Sequence, residues 1–217
     1  QVLDTVDELI EKSDAIILAR DDPWNRTEII TKLIDSKKPF FLDKLISTCV
    51  SELEAVLDYA ENTNLVLATT PARYLPKVMN NSISQSSHLL NSIHGISRVN
   101  WVRYGSHILE PIVAILGLKS CKVRNISFQP DHDIVQIQYN NRININIECI
   151  KDVNLPIETN YYFSGSEKQC IYFDDFYTSF NQMMREFVNM IESNSLVISI
   201  EEMRFINHII LAGINSN

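Results

Sequence analysis

Three short stretches hold residue types able to do chemistry. Lys44 closes the apolar run Phe40-Phe41-Leu42 after Asp43. A lysine at the carboxyl end of a parallel strand stands where α/β sheets bind ligands. His107 lies at the start of an apolar helical pattern, and histidine is the side chain that titrates near neutrality. Glu110, three residues on, shares its helical face and could orient it. Asp21-Asp22-Pro23-Trp24 follows the first apolar run at its carboxyl end. Each stretch also has a plainer reading. Lys44 reads as a solvated loop lysine, His107 beside Gly105 as a hydrogen-bonded structural histidine, and the aspartates as a helix cap before Asn25.

Other chemistries find no support. His88, His94, His132 and His208 are scattered without ligand-like spacing, and Cys49, Cys121, Cys149 and Cys170 form no CxxC pair. The expectation is therefore no metal site, and reduced thiols in a cytoplasmic protein. No Ser-His-Asp order, HExxH pattern or EF-hand loop is present. The Met183-Met184 and Met190 cluster reads as core filling. A net charge of -8 argues against nucleic-acid and anionic-membrane partners, and no apolar run approaches the ~20 residues of a membrane span. Glycine is the most informative count: the chain has five, and the first is Gly95. A phosphate cradle needs glycines where the backbone approaches closely, so residues 1–94 offer none of the usual kind.

The positioning elements follow from periodicity. Residues 6–12 and 26–37 read as amphipathic helices, 14–19 and 39–42 as buried strands, 51–60 as a helix capped by Ser47 or Thr48, and 65–68 as a third strand. Strand, helix, strand, helix, strand predicts a parallel α/β sheet with right-handed crossovers. The chain beyond has another texture. A helix is expected over 74–93 and another over 108–116, ending at Gly117. Strands are expected over 123–128, 134–139, 143–149, 159–163 and 169–173, with hairpin turns at Asn140-Asn141 and Ser164-Gly165-Ser166. Strict alternation over 143–149 indicates an antiparallel strand with one wet face. Helices over 176–192 and 200–214 close the chain.

This order of elements resembles the Gfo/Idh/MocA family of nicotinamide-dependent oxidoreductases, and several short motifs strengthen the likeness. Lys38-Pro39-Phe40-Phe41-Leu42-Asp43-Lys44-Leu45 stands where the family carries a sequence like KPVFIDKP. Thr70-Pro71-Ala72-Arg73-Tyr74 matches its S-A-L-R-Y segment, and Tyr104-Gly105-Ser106-His107-Ile108-Leu109-Glu110 resembles the YGIHxxE of one subgroup. The ending from Phe173 to Tyr177, through Met190-Ile191 and Ile200-Glu201-Glu202 to Leu211-Ala212-Gly213, is also similar.

The resemblance implies a fold: the C-terminal half of a parallel Rossmann-like sheet, then a mostly antiparallel sheet domain with flanking helices. It implies a partial nucleotide-binding domain over 1–75 and an α+β substrate-binding and oligomerisation domain over 76–217. It also implies NAD or NADP as cofactor, a sugar- or polyol-like alcohol as substrate, and a homo-oligomer. Lys44 takes the polarising role and His107 the acid/base role. Ala19, Arg20, Trp24, Asp43 and Arg73 fall at cofactor-contacting positions, and Arg103 and Tyr104 at substrate positions; Arg73 reads equally as an ordinary ion-pair partner. The chain also departs from the pattern. The first βαβ with its GxGxxG turn is missing, Leu45 replaces the proline after the lysine, and Arg103 stands where many relatives have aspartate. These departures support an alternative: a non-catalytic relative serving as a binding or assembly subunit.

Overall fold

A computed structural model describes residues 2–80, 83, 88–165 and 168–215. The chain divides into two compact units. One comprises residues 1–69 with 184–207, the other 70–183 with 208–217.

The first unit is a three-stranded parallel sheet in the order β1 (Ile16–Leu18), β2 (Phe40–Asp43), β3 (Val66–Thr69). β3 is buried along its whole length and β2 at every residue but Asp43, which is why both read as continuous apolar runs. The sequence also holds the covering helices: α1 (Val6–Lys12), α2 (Thr27–Ser36), which buries Ile30 and Leu33, and α3 (Val50–Thr63), which buries Leu53, Val56, Leu57 and Ala60. With no glycine available, α2 and α3 stop on left-handed Lys37 (φ 55°) and Asn64 (φ 59°). Neither expected residue caps α3. Its first position follows Cys49, which makes no side-chain cap bond, while Ser47 Oγ accepts from the Cys49 N–H at 2.9 Å. Residues from the two C-terminal helices complete this unit. Phe187 meets Phe41 edge-on at 5.9 Å, Arg204 grips Glu54 at 3.0 Å, and Asn207 Oδ1 accepts from the Ile46 N–H at 2.9 Å.

The second unit holds a six-stranded mixed sheet in the order β5-β6-β7-β4-β8-β9. Its strands are β4 (Leu90–Arg98), β5 (Cys121–Asn125), β6 (His132–Tyr139), β7 (Ile143–Ile150), β8 (Glu158–Phe163) and β9 (Gln169–Tyr172). Every pairing is antiparallel except β4 with β7. The architecture expected from sequence is the one observed. The turn at Asn140-Asn141 has φ 54° at both residues, as a tight hairpin requires. Ser164-Gly165 turns as expected, and Ser166 lies outside the described residues.

The helix expected over 74–93 is not formed. A 3-10 turn (Pro71–Tyr74) and the short α4 (Pro76–Met79) precede β4; residues 81, 82 and 84–87 lie outside the described set. A register shift between Leu90 and Ser92 puts Leu90 and Ile93 on the buried side together. Their three-residue spacing imitates a helical face in a segment that is a bulged strand.

A single helix, α5 (Trp101–Leu116), replaces the expected start at residue 108, so His107 lies two turns in. Asn100 caps it by accepting from the Arg103 N–H at 3.0 Å, and Gly117 ends it at φ 71°. The buried Trp101 indole donates to the Ile210 carbonyl at 2.9 Å. Gly105 and Gly213 press on its ring so closely that a Cβ on either would lie 2.4 Å from it. The last two helices are α6 (Phe176–Ser193) and α7 (Ile200–Asn215).

Candidate functional site

In the first unit the expected residues gather at the carboxyl ends of β1 and β2. Lys44 leaves β2 at φ 74°, held there by donating its N–H to the Thr69 carbonyl at 3.1 Å. A left-handed lysine carries strain of about 1–3 kcal/mol, which persists where surrounding structure enforces it. Its ammonium meets Asp21 at 2.9 Å and Asp43 at 3.8 Å. Burial pushes the Asp43 carboxyl above its ordinary range, against the opposing pull of Lys44 and Arg26. The aspartates do not cap α2. Asp21 pairs with Lys44, while Asp22 gathers its own turn, accepting from the Trp24 N–H at 2.9 Å, from Asn25 at 3.1 Å and from Arg20 at 3.4 Å. Ala19 and Arg20 lead out of β1, and Trp24 is 53% exposed beside them.

Arg26, which sequence reading passed over, organises this cluster. Its buried guanidinium donates to the carbonyls of Leu45 at 2.7 Å, Arg20 at 2.5 Å, Asp22 at 3.2 Å and Asp43 at 3.4 Å. Burial lowers its pKa, against the raising influence of Asp43. One side chain thus ties the segments after β1 and β2 together. In sequence Arg26 stood as the first residue of the amphipathic helix expected over 26–37, where an arginine usually faces water.

In the second unit α5 presents Arg103, Tyr104 and His107. The His107 ring is buried between Tyr104, with centroids 5.1 Å apart, and Phe173, stacked at 5.6 Å. The Arg98 guanidinium lies over the Tyr104 ring at 6.0 Å. Buried Glu110, expected to orient His107, has its carboxylate 3.7 Å from Arg73. Val99, immediately before the cap of α5, has φ 67°, an outlier for a β-branched residue.

Two histidines read as scattered come together on one carboxylate. His94 on β4 and His132 on β6 each place Nε2 2.8 Å from a different oxygen of Glu148 on β7. Burial raises the Glu148 pKa and the two histidines lower it; the net direction is down. Three distant positions meet because β6, β7 and β4 are neighbours, a pairing no local spacing reveals. Among the described residues no group of three His, Cys, Asp or Glu is arranged to hold a metal ion, and no helix is long and apolar enough to cross a membrane.

With these clusters in place, solved structures supply the comparison. A dehydrogenase from Clostridium difficile superposes over 99% of this chain and 83% of its own, with TM-score 0.77 and 16% identity. GenD2 from gentamicin A biosynthesis, in a complex with NAD, covers 100% of this chain and 80% of its own, with TM-score 0.77 and 12% identity. The fold is one that these two proteins share with this chain. A myo-inositol dehydrogenase from Corynebacterium glutamicum adds a match over 99% of this chain and 81% of its own, with TM-score 0.74 and 13% identity. No protein-family model and no curated protein matches the sequence.

Proposed function

We propose that the chain is an oxidoreductase moving a hydride between NAD or NADP and a secondary alcohol of a carbohydrate-like substrate. The observation that carries this reading is the strained Lys44, fixed against Asp21 at the strand ends of a fold shared with sugar and inositol dehydrogenases. When bound, the nicotinamide ring of the oxidised cofactor would supply the hydride acceptor. In this reading Lys44 steadies the substrate oxygen as charge develops, and His107 takes or returns the hydroxyl proton. Ala19, Arg20, Trp24, Asp43 and Arg73 serve the cofactor, and Arg103 and Tyr104 the substrate. The Arg20 cation and the exposed Trp24 indole suit the phosphates and flat rings of a dinucleotide. The close pyrophosphate approach that glycines permit has no counterpart in residues 1–94. That gap is the support for a non-catalytic binding or assembly subunit as the second reading. The proposal further assigns nucleotide binding to residues 1–75, substrate binding and self-association to 76–217, and the cytoplasm as the compartment.

Titrating the chain with NADH and NADPH, followed by nucleotide fluorescence, tests it. Saturable binding in about the micromolar range, weakened about tenfold or more by Lys44→Ala, is expected. A panel of sugar alcohols should then turn over, with His107→Ala losing about 10²- to 10⁴-fold in rate. No binding up to about millimolar nucleotide would overturn catalysis by this chain and favour the second reading.

A further inference from the structure

In the second unit a row of aromatic rings leads from a buried side chain to solvent. Tyr104 and His107 on α5 have ring centroids 5.1 Å apart, and Phe173, just after β9, stacks on His107 at 5.6 Å. Phe176, which opens α6, meets Phe173 at 4.5 Å. Exposure rises along the row, from 6% at His107 and 9% at Phe173 to 45% at Phe176. Phe180 stands one turn on from Phe176 on the same helical face, and it too is 45% exposed. Packing accounts for Phe173. It does not account for two half-exposed phenylalanines continuous with a buried imidazole, an arrangement of aromatic lining and few polar groups that suits a ligand.

The chemistry of the outer end selects what it takes. Aromatic faces favour a flat ring, or the C–H face of a sugar ring, over a charged chain. Residues 169–184 contain Asp174 and Asp175 and no lysine, arginine or histidine. Asp174 is exposed, and Asp175 accepts from the Thr178 N–H at 3.1 Å. Two carboxylates between Phe173 and Phe176 repel a phosphate or carboxylate on the ligand. Arg98, over the Tyr104 ring at 6.0 Å, is at the other end of the row. We infer that the substrate is a glycoside rather than a free monosaccharide: its second group is an uncharged ring that stacks on Phe176 and Phe180. This deepens the proposed function and rests on it in placing the sugar at His107.

The test is calorimetric titration of the full chain with the phenyl and methyl glycosides of glucose, galactose and mannose, with cellobiose and with UDP-glucose. NADH is present throughout, so that no hydride can pass to the cofactor. At least one phenyl glycoside should bind about tenfold tighter than its methyl counterpart. Cellobiose distinguishes a second sugar ring from an aryl group as the stacked partner, and UDP-glucose, whose ring hangs on a diphosphate, should bind more weakly than the phenyl glycoside. Phe176→Ala should reduce the phenyl preference to about twofold or less, and Phe180→Ala by about threefold, with methyl glycoside affinity unchanged. Tyr177→Ala, one position round the helix, should leave the preference intact. An unchanged melting temperature verifies that the variants fold. Equal affinity for phenyl and methyl glycosides, a preference that survives Phe176→Ala with Phe180→Ala, tighter binding of UDP-glucose, or no glycoside binding at all would each overturn the inference. A phenyl preference without turnover on adding NAD or NADP removes the proposed hydride transfer and leaves this inference standing. Turnover of methyl and phenyl glycosides with equal affinity does the reverse.

Discussion

The carboxyl end of β2 and the junction between β4 and α5 solve one problem in two ways. At both, the chain turns through the left-handed region as it leaves a strand, at Lys44 (φ 74°) and at Val99 (φ 67°). In the first unit the strained residue itself carries the candidate chemistry, and its charge is met by Asp21. In the second, the strained residue is apolar, and the candidate groups follow on a helix whose place is fixed by Trp101. One site depends on backbone geometry enforced by hydrogen bonds, the other on packing around a large ring.

Substitutions can break this contrast or sharpen it. The largest effect is expected from Trp101→Ala, which should destabilise the second unit by about 3–5 kcal/mol in urea unfolding; a cost below about 1 kcal/mol would remove packing as the organising term. Arg26→Met should cost about 3 kcal/mol in the first unit, because carbonyls held by the guanidinium lose their donor. Gly213→Ala should cost about 1–3 kcal/mol by forcing the Trp101 ring to shift. Val99→Gly should raise stability by about 0.5–1 kcal/mol, the relief of strain being partly offset by the freedom glycine adds to the unfolded chain. Lys44→Gly gains the same relief but loses the Asp21 contact, so its net change should lie nearer zero; an equal gain at both positions would show that the ion pair contributes nothing.

A further small effect concerns Glu148. Its folded pKa is depressed, so its contribution is present above the ordinary value of 4.5 and is lost as pH falls below it. Acid titration of wild type and Glu148→Gln should therefore diverge below that pH, with the wild type losing about 0.5 kcal/mol more after solvent screening. Parallel acid curves would dismiss the His94–Glu148–His132 cluster as a stabilising element.

Periodicity revealed much of this fold because most elements are buried in the way their own residues dictate. The runs at Phe40-Phe41-Leu42 and Val66-Leu67-Ala68 are buried on both faces, and the alternation from Ile143 to Cys149 matches one wet face. It failed over 74–93, where a bulge gave a strand helical spacing. Amphipathic periodicity also marks that a helix has a face to bury without saying against what. The portions of α6 and α7 that pack with the first unit thus lie far along the chain from the 1–75 stretch whose strands they help cover. Among the candidate residues, the place of Lys44 at the end of a strand was legible, while His107 was expected at a helix start and lies within the helix. Arg26 was not legible, since its role comes from carbonyls up to 19 residues away, nor was the meeting of His94 with His132, which depends on strand order.

The chain has two tryptophans, and each unit holds one. Trp101 is sealed among glycines and apolar side chains, whereas Trp24 stands half in solvent beside Arg20 and Asp22. The two therefore emit from environments of different polarity, a blue-shifted band from one unit and a red-shifted band from the other. The protein thus carries its own pair of optical labels: the red edge reports on the strand ends around Lys44, and the blue edge reports whether the helix presenting His107 is still in place.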